Sequence, residues 1–494
     1  MYISCHNFMF PFRWNVKLSY KDLFSSQIDL SSINFSEDSP WIRHTSPTEG
    51  TESENWYNEH NYFYGFTHHA LYDSGNDISL LRHFERREPM ERDVTYEIEC
   101  SGKVYSLKVR SISLKLYSTG VGVLSFYLLN KDYSAHDDIL NINQFGRRVF
   151  PPYLDSINTR ELLADKISLE GLDGKADDYS EDFCGYGKDD FNQPAKFIIR
   201  LIKDIATNIF IEPVIDDRMF VQCLYMDREL AEGVPHYGFG GDEDPNFRDF
   251  WYKFLFVDKD GKNSTCGNRN MRMSLLNEST YDRWQDLGTL YGVSRYSMVC
   301  LITSDSDDFV FNYFCSIYAR MVELVLVQRA SVLRFSDEVT NISNNKDVGK
   351  YSDNVSSLYM EYIRFINQIH FHEISSQDQG IDLYQKLHLM MDIEPQAKRL
   401  EEEIGELYNY VSLQESRDTN KSMTVLTWFA SILVPMTVIA SIFGMNNIWF
   451  IGNNGGQTES WYNQGWVQMA TIVAVTIFAF IIMRLLTRKE GRDK

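Results

Sequence analysis

An α+β (or α/β) body followed by long stalk helices and two C-terminal transmembrane helices is the fold class this sequence predicts. Three observations carry it: alternating apolar residues in roughly the first three hundred positions, helical spacing beyond them, and two uncharged runs near the C-terminus. The chain of 494 residues has room for two or three domains, and 48 Lys and Arg against 69 Asp and Glu leave it a net charge of −21. Binding a phosphate backbone needs clustered cations, so this balance argues against direct nucleic acid as the main partner and favours cations or local basic pockets. The seven cysteines are scattered and form no CxxC pair, so neither a disulfide framework nor a structural zinc site is indicated, and the body reads as cytosolic. Met1 to Trp14 is apolar but lacks a basic flank and is interrupted by Pro11, unlike a secretory signal.

In the body, residues 1–305, the alternation of Val94, Tyr96 and Ile98, then of Val104 to Tyr117 and Val121 to Leu128, predicts strands. Phe197 to Ile205 has helical spacing, and the Asp- and Gly-rich stretches Asp173 to Asp190 and Gly238 to Asp249 read as surface loops. Residues 306–422 form a helical region and stalk. Phe309 to Phe335 is a long helical run in which Arg320, Glu323 and Arg329 rule out a simple membrane span. Val355, Leu358, Tyr362, Phe365 and Ile369 mark a second helix, expected to pair antiparallel with the first. Gly380 marks a break or a close helix contact. Ile393, Ala397, Leu400, Ile404, Leu407 and Val411 repeat at coiled-coil-like spacing, with Pro395 in the first turn, and this seam runs straight toward the membrane.

Residues 423–443 contain no charge, which matches the roughly 20 residues needed to cross about 30 Å of hydrocarbon. A second span, 466–486, is uncharged except for Arg484, which can snorkel to the headgroups. The connecting loop, 444–465, has no Lys or Arg, whereas Arg417 and Lys421 precede the first span and the tail 487–494 is basic. The positive-inside rule therefore places both termini in the cytosol of a multi-pass protein of the cell membrane. Burial of both runs in a soluble core is the plainer alternative. Thr424, Thr427, Ser431, Thr437 and Ser441 suit a helix packed around a water path better than a plain lipid anchor.

Asn420-Lys-Ser-Met423-Thr-Val-Leu426-Thr427, then Pro435, then Gly444-Met445-Asn446, resembles the CorA family of divalent-cation channels, which are funnel-shaped homopentamers. The resemblance is firm over about the last hundred residues. It implies that Asn446 forms a ring of carbonyls at the outer pore mouth, with Gly444 allowing a tight turn and Met445 between them. Such a ring suits hydrated Mg²⁺, which dehydrates reluctantly. It also implies that Met423, Leu426, Ala430, Val434, Thr437 and Ser441 line the pore, with Met423 and Leu426 as an apolar gate and Asn420 at its cytosolic end. The plain reading of these residues is helix packing, and of Asn446 a helix C-cap. The loop lacks the proline-acid element common in housekeeping members, and the body is longer than such transporters need. Gly120 to Asn130, Ile142 to Pro152 and the SSQDQGIDLY segment look like the CorA-like proteins encoded beside type III CRISPR systems, whose cytosolic domain is thought to sense an adenylate second messenger.

Arg147 and Arg148, before Pro151-Pro152, form a cationic point suited to bidentate phosphate contact, with Phe145, Phe150 and Tyr153 near enough to stack on a base. Asp216, Asp217 and Arg218 offer a second polar cluster. Both read equally as solvated turns or ion pairs. Nothing points to an enzyme: there is no G-x-G-x-x-G, P-loop or HExxH, and pairs such as His68-His69 and His370/His372 read as packing or surface residues. Three functions remain open: a ligand-gated pore in antiviral defence, a Mg²⁺ transporter closed by cytosolic Mg²⁺, and a non-conducting membrane scaffold. A single hairpin cannot enclose a pore, so a homo-oligomer, a pentamer by the resemblance, is expected. Chemical cross-linking in detergent should trap a ladder ending at the pentamer, and monomers alone would refute it.

Overall fold

The computed structural model describes residues 2–15, 30, 39–46, 54–76, 79–149, 163–174, 176–183, 194–205, 209–236, 238–239, 249–259, 265–303, 308–343, 348–450, 470, 473–474 and 477. They fall into two compact units, Met1–Gly405 and Glu406–Lys494.

Among the described residues the first unit is built on a 13-stranded sheet. In chain order the strands are β1 (Ser4–Asn15), β2 (Trp41–Arg43), β3 (Leu81–Arg86), β4 (Thr95–Cys100), β5 (Lys103–Tyr117), β6 (Val121–Asn130), β7 (Lys166–Glu170), β8 (Ser180–Asp182), β9 (Phe210–Pro213), β10 (Phe220–Met226), β11 (Thr280–Tyr281), β12 (Thr289–Val293) and β13 (Ser297–Ile302). The main path is β11-β12-β13-β10-β1-β6-β5-β4-β7-β8, with β9 beside β1, β3 beside β5 and β2 beside β3. Neighbours are antiparallel except β10 and β13, which run parallel.

The expected strands are present as β4, β5 and β6. Leu107, Val109, Ile112, Leu114 and Leu116 of β5 are buried, and Gly120 closes the hairpin to β6 at φ 74°, a conformation that costs glycine little. The apolar N-terminus is the central strand. All residues of β1 are buried, because the sheet is covered on both faces. Phe8, Phe10, Phe12 and Trp14 alternate onto one face and join the main core with Phe197, Ile198 and Ile142. Pro11 is tolerated because the β10 ladder ends at Met9 and the β9 ladder begins at Phe12, so its missing N–H falls in the gap between two partners. The stretch read as a surface loop from Asp173 carries a 3₁₀ turn, Ala176–Tyr179, and β8, which pairs with β7. Tyr179 is buried there under Arg86. Residues 240–248 of the other expected loop lie outside the described residues.

Phe309–Ser343 is, among the described residues, the one helix long and apolar enough to cross a membrane, and 67% of its apolar stretch is buried. The charges that argued against a span explain its place. Arg320 pairs with Glu59, and Glu323 accepts hydrogen bonds from Lys115 Nζ, from Ser125 Oγ at 2.8 Å and from Tyr127 Oη at 2.8 Å. The Ala319–Ser343 segment is thus the core helix over the sheet. The Val348–Gln368 helix runs antiparallel to it: Phe335 meets Tyr362 and Phe365 at centroid distances of 5.9 and 5.6 Å, and Arg334 reaches Glu361 at 3.1 Å. Gly380 is a close contact rather than a break. It sits inside the Asp378–Met390 helix, where a Cβ would lie 2.7 Å from Tyr62 Oη. After a left-handed turn at Asp392, one unbroken helix runs from Ile393 to Phe450 with Ile393, Ala397, Leu400 and Ile404 buried, as the seam predicted.

Burial pushes the Lys115 ammonium below its ordinary pKa; burial would raise Glu323, but Lys115 and Ser125 hold it below the usual carboxylate range. Removing one partner of such a pair typically costs about 3–5 kcal/mol because the other charge stays buried. Lys115→Met should therefore destabilise the chain by about that amount in urea titrations in detergent, and adding Glu323→Gln should restore at least about 1 kcal/mol of it. A double variant no more stable than Lys115→Met would overturn this account of the pair.

Candidate functional site

The C-terminal helix changes character without a break. Lys421 pairs with Asp418 at 2.9 Å, and from Met423 to its end at Phe450 the helix is uncharged. Its apolar side chains stand exposed, Leu426 at 70%, Met423 at 60% and Val434 at 59%. An apolar surface this continuous needs lipid or neighbouring helices to cover it. The polar residues within it bond to their own helix: Thr424 Oγ1 donates to the Asn420 carbonyl at 2.8 Å, Thr427 to Met423 at 2.7 Å, Ser431 to Trp428 at 2.9 Å and Thr437 to Val434 at 2.8 Å. Such back-bonding lets hydroxyls enter an apolar medium without an unmet donor. Pro435 sits inside the helix without ending it.

Met423, Leu426, Ala430, Val434, Thr437 and Ser441 fall on one helical face, and all six are exposed, as is Asn420. At the pore-mouth motif the backbone departs from expectation. Gly444, Met445 and Asn446 are helical and the helix continues to Phe450, so neither a turn at Gly444 nor a loop beginning there is made. One glycine in an otherwise proline-free stretch costs a helix only about 1 kcal/mol, too little to break it. The side chains of residues 442–450 lie outside the described residues. Of the second apolar run, the described positions 470, 473–474 and 477 are helical and exposed; its remainder and the basic tail lie outside them.

The two charged clusters of the body come together as one. Arg147 caps the His136–Gly146 helix; its carbonyl accepts from Met219 N at 2.8 Å, and Arg148 forms a lone β-bridge with Arg218. This backbone pairing brings Arg148 within 3.1 Å of Asp217, while Arg218 holds Asp216 at 2.9 Å. Tyr296, in the β12–β13 turn, lies under both Arg147 and Arg218, at 5.8 and 5.5 Å to the ring centre. Sequence reasoning did not find it, since only the hairpin brings it there.

Arg147 differs from its neighbours. It is 2% exposed; its Nη2 donates to Gln144 Oε1 at 3.0 Å and to the Val257 carbonyl at 3.4 Å, and its Nε has no partner among the described residues. Burial, reinforced by the like charge of Arg218, pushes its pKa down to about 9. Burial likewise lowers Arg148, and burial together with the Asp216 hydrogen bond raises Asp217. Phe145 is packed in the core, away from any stacking role, and Phe150 and Tyr153 lie outside the described residues. The same β12–β13 hairpin contributes Thr289 and Tyr291 to a cleft of about 880 Å³ that also includes Tyr62, Trp284, Phe309 and Gln379. Trp284 Nε1 donates to Gln379 Oε1 there at 2.7 Å. No local pattern signals this cleft, because its walls come from four separate segments.

Residues 283–487 match the family model described as CorA-like Mg²⁺ transporter protein. The match takes in β12, β13, the core helix and its partner, and the exposed C-terminal helix; strands β1 to β11 precede it. No curated protein matches the chain. The family suggests a membrane-embedded channel or transporter for divalent cations, and its members are transporters rather than enzymes.

A buried arginine satisfied only by neutral acceptors adds little to stability. Arg147→Met should therefore shift the unfolding free energy by less than about 1 kcal/mol. A loss of several kcal/mol in urea titrations would show that the guanidinium serves the fold.

Proposed function

We propose that this chain is one subunit of a divalent-cation pore in the cell membrane, gated by an adenylate-type second messenger bound to its first unit. The observation that carries the pore reading is the exposed, uncharged helix within the stretch that matches the transporter family. Five copies in a bilayer would cover its apolar flanks and turn one face inward. Met423 and Leu426 then form an apolar constriction that closes by dewetting, and Asn420 supplies a polar ring below it. Ala430, Val434, Thr437 and Ser441 continue the path to Asn446, whose amide oxygens hold Mg²⁺ through its water shell. Both termini lie on the cytosolic side in this reading, with the second apolar run as the return helix.

The gating half draws on the sequence likeness to CorA-like proteins of type III CRISPR systems, and an antiviral role goes with that reading. Arg147 supports it, being a buried cation without a carboxylate partner among the described residues, next to Arg148 and Arg218 and over an aromatic ring. An incoming phosphate would compete with Asp216 and Asp217 for these arginines. The net charge of −21 favours a second reading, an ordinary transporter whose acidic surfaces bind cytosolic Mg²⁺ and close the pore. The non-conducting scaffold is a third.

Proteoliposomes loaded with a fluorescent Mg²⁺ indicator separate these readings. Wild type should conduct, with a rate that changes on adding an adenylate second messenger; Asn446→Ala should lose about tenfold or more of the flux while still inserting. An Arg147→Ala, Arg148→Ala double variant with an intact fold should conduct but ignore the nucleotide. No flux under any condition would favour the scaffold, and flux that answers only to Mg²⁺ would favour the transporter.

A further inference from the structure

Four side chains outside the pore and the arginine cluster converge at the start of the C-terminal helix. His370 and His372 lie on the segment after the Val348–Gln368 helix, His388 in the last turn of Asp378–Met390 and Glu394 in the first turn of Ile393–Phe450. Glu394 Oε1 stands 3.6 Å from His370 Nε2, 3.4 Å from His388 Nδ1 and 3.2 Å from His372 Nδ1. Ligand atoms of His370, His388 and Glu394 all lie within 4.8 Å of one another.

These separations are long for hydrogen bonds to a carboxylate, which close to about 2.7–2.9 Å. All three radiate from Glu394 Oε1 and fall close to the spacing of ligand atoms around a shared ion, where bonds of roughly 2.0–2.1 Å set adjacent ligand atoms about 3.3–3.4 Å apart.

The surrounding hydrogen bonds fix which ring nitrogen is free. Gln328 Nε2 donates to the Ile369 carbonyl at 2.8 Å and to Tyr384 Oη at 2.9 Å, whose own proton goes to the Phe371 carbonyl at 2.7 Å. Gln328 must therefore turn its oxygen to His388 Nε2, 2.8 Å away, and that nitrogen carries the proton. His388 Nδ1 is left with a lone pair aimed at a carboxylate oxygen. Two acceptors so placed repel unless positive charge stands between them. His370 Nε2 makes the same demand: its buried ring nitrogen has no hydrogen-bond partner among the described residues. A shared proton would have drawn either pair to hydrogen-bond distance.

We propose that His370, His388 and Glu394 form a three-ligand binding site for a borderline-soft divalent ion of the Zn²⁺ class, with His372 beside Glu394 at its edge and Gln328 orienting His388 from behind. A set rich in imidazole nitrogen selects Zn²⁺ over Mg²⁺, which takes oxygen ligands, so this site is separate from the permeant ion of the pore reading. His372 is 83% exposed and forms the open side, where water can replace it. A bound ion ties the first turn of the C-terminal helix to two neighbouring segments. Backing of a ligand histidine by a buried amide is the usual means of holding its tautomer and direction.

The test uses the full chain in detergent, stripped with a chelator and titrated with Zn²⁺ against a chromophoric competitor, then with Mg²⁺. Wild type should bind one equivalent of Zn²⁺ that His388→Gln and Glu394→Gln each lose or weaken by about tenfold or more. Mg²⁺ at millimolar concentration should not displace it. Co²⁺ loaded in place of Zn²⁺ should give the intense visible bands of a tetrahedral site in wild type and lose them in Glu394→Gln. His372→Ala changes an exposed side chain and keeps the test independent of folding; it should loosen the ion without altering the circular dichroism of the metal-free chain. Absence of Zn²⁺ binding in wild type, or equal affinity in folded His388→Gln, Glu394→Gln and His372→Ala, overturns the proposal.

Discussion

A single carboxylate, that of Glu323, fastens the core helix to the sheet. It reaches Lys115 on β5 and Ser125 and Tyr127 on β6, so two strands and one helix share one set of charge-assisted hydrogen bonds in a buried layer. The geometry leaves little freedom: a helix of this apolarity could slide over β-branched and leucine side chains at small cost, but a buried charge with three fixed partners cannot shift without losing them. The Val348–Gln368 helix packs on the helix so located, and Gln328, four residues past Leu324 on the same helix, braces His388. Farther along the helix Asp337 accepts from Arg13 of β1 at 2.7 Å and Ser331 meets Thr119 at 3.1 Å, so the register set at Glu323 is held along its length.

Much of the architecture was legible because the determinants are local. The β5–β6 hairpin announces itself by alternation and a glycine turn, the core helix and its partner by spacing of three and four, and the uncharged run by length alone. The central strand β1 was not legible as a strand. Buried on both faces, it shows its period of two only in the aromatics Phe8, Phe10, Phe12 and Trp14, and its proline argues the wrong way until the gap between β9 and β10 is known. The helix through Gly444 was missed for a different reason: a glycine signals a turn only when something else also favours one.

The functional residues divide along the same line. The face from Met423 to Ser441 needs only the helical period, so sequence alone lays it out. Joining Arg147 and Arg148 to Asp217 and Arg218 needs a long-range backbone bridge, and Tyr296 arrives from a third segment. The histidines resisted reading most completely. His370 and His372 are two apart, a spacing that signals no helical metal motif, and their partners His388 and Glu394 belong to two further elements joined by the left-handed turn at Asp392.

The back-bonded hydroxyls of the uncharged helix give its surface a polarity that its composition does not show. A threonine hydroxyl has one hydrogen to give and two lone pairs to offer. Where that hydrogen is already given to a carbonyl one turn earlier, as at Thr424, Thr427 and Thr437, what faces outward is oxygen alone. Of the three, Thr437 falls on the face shared by Met423 and Ser441, and there its oxygen can solvate a cation or orient water around it, while an approaching chloride finds no proton to accept. Charge discrimination would then be written into the wall of the helix without a single ionised residue.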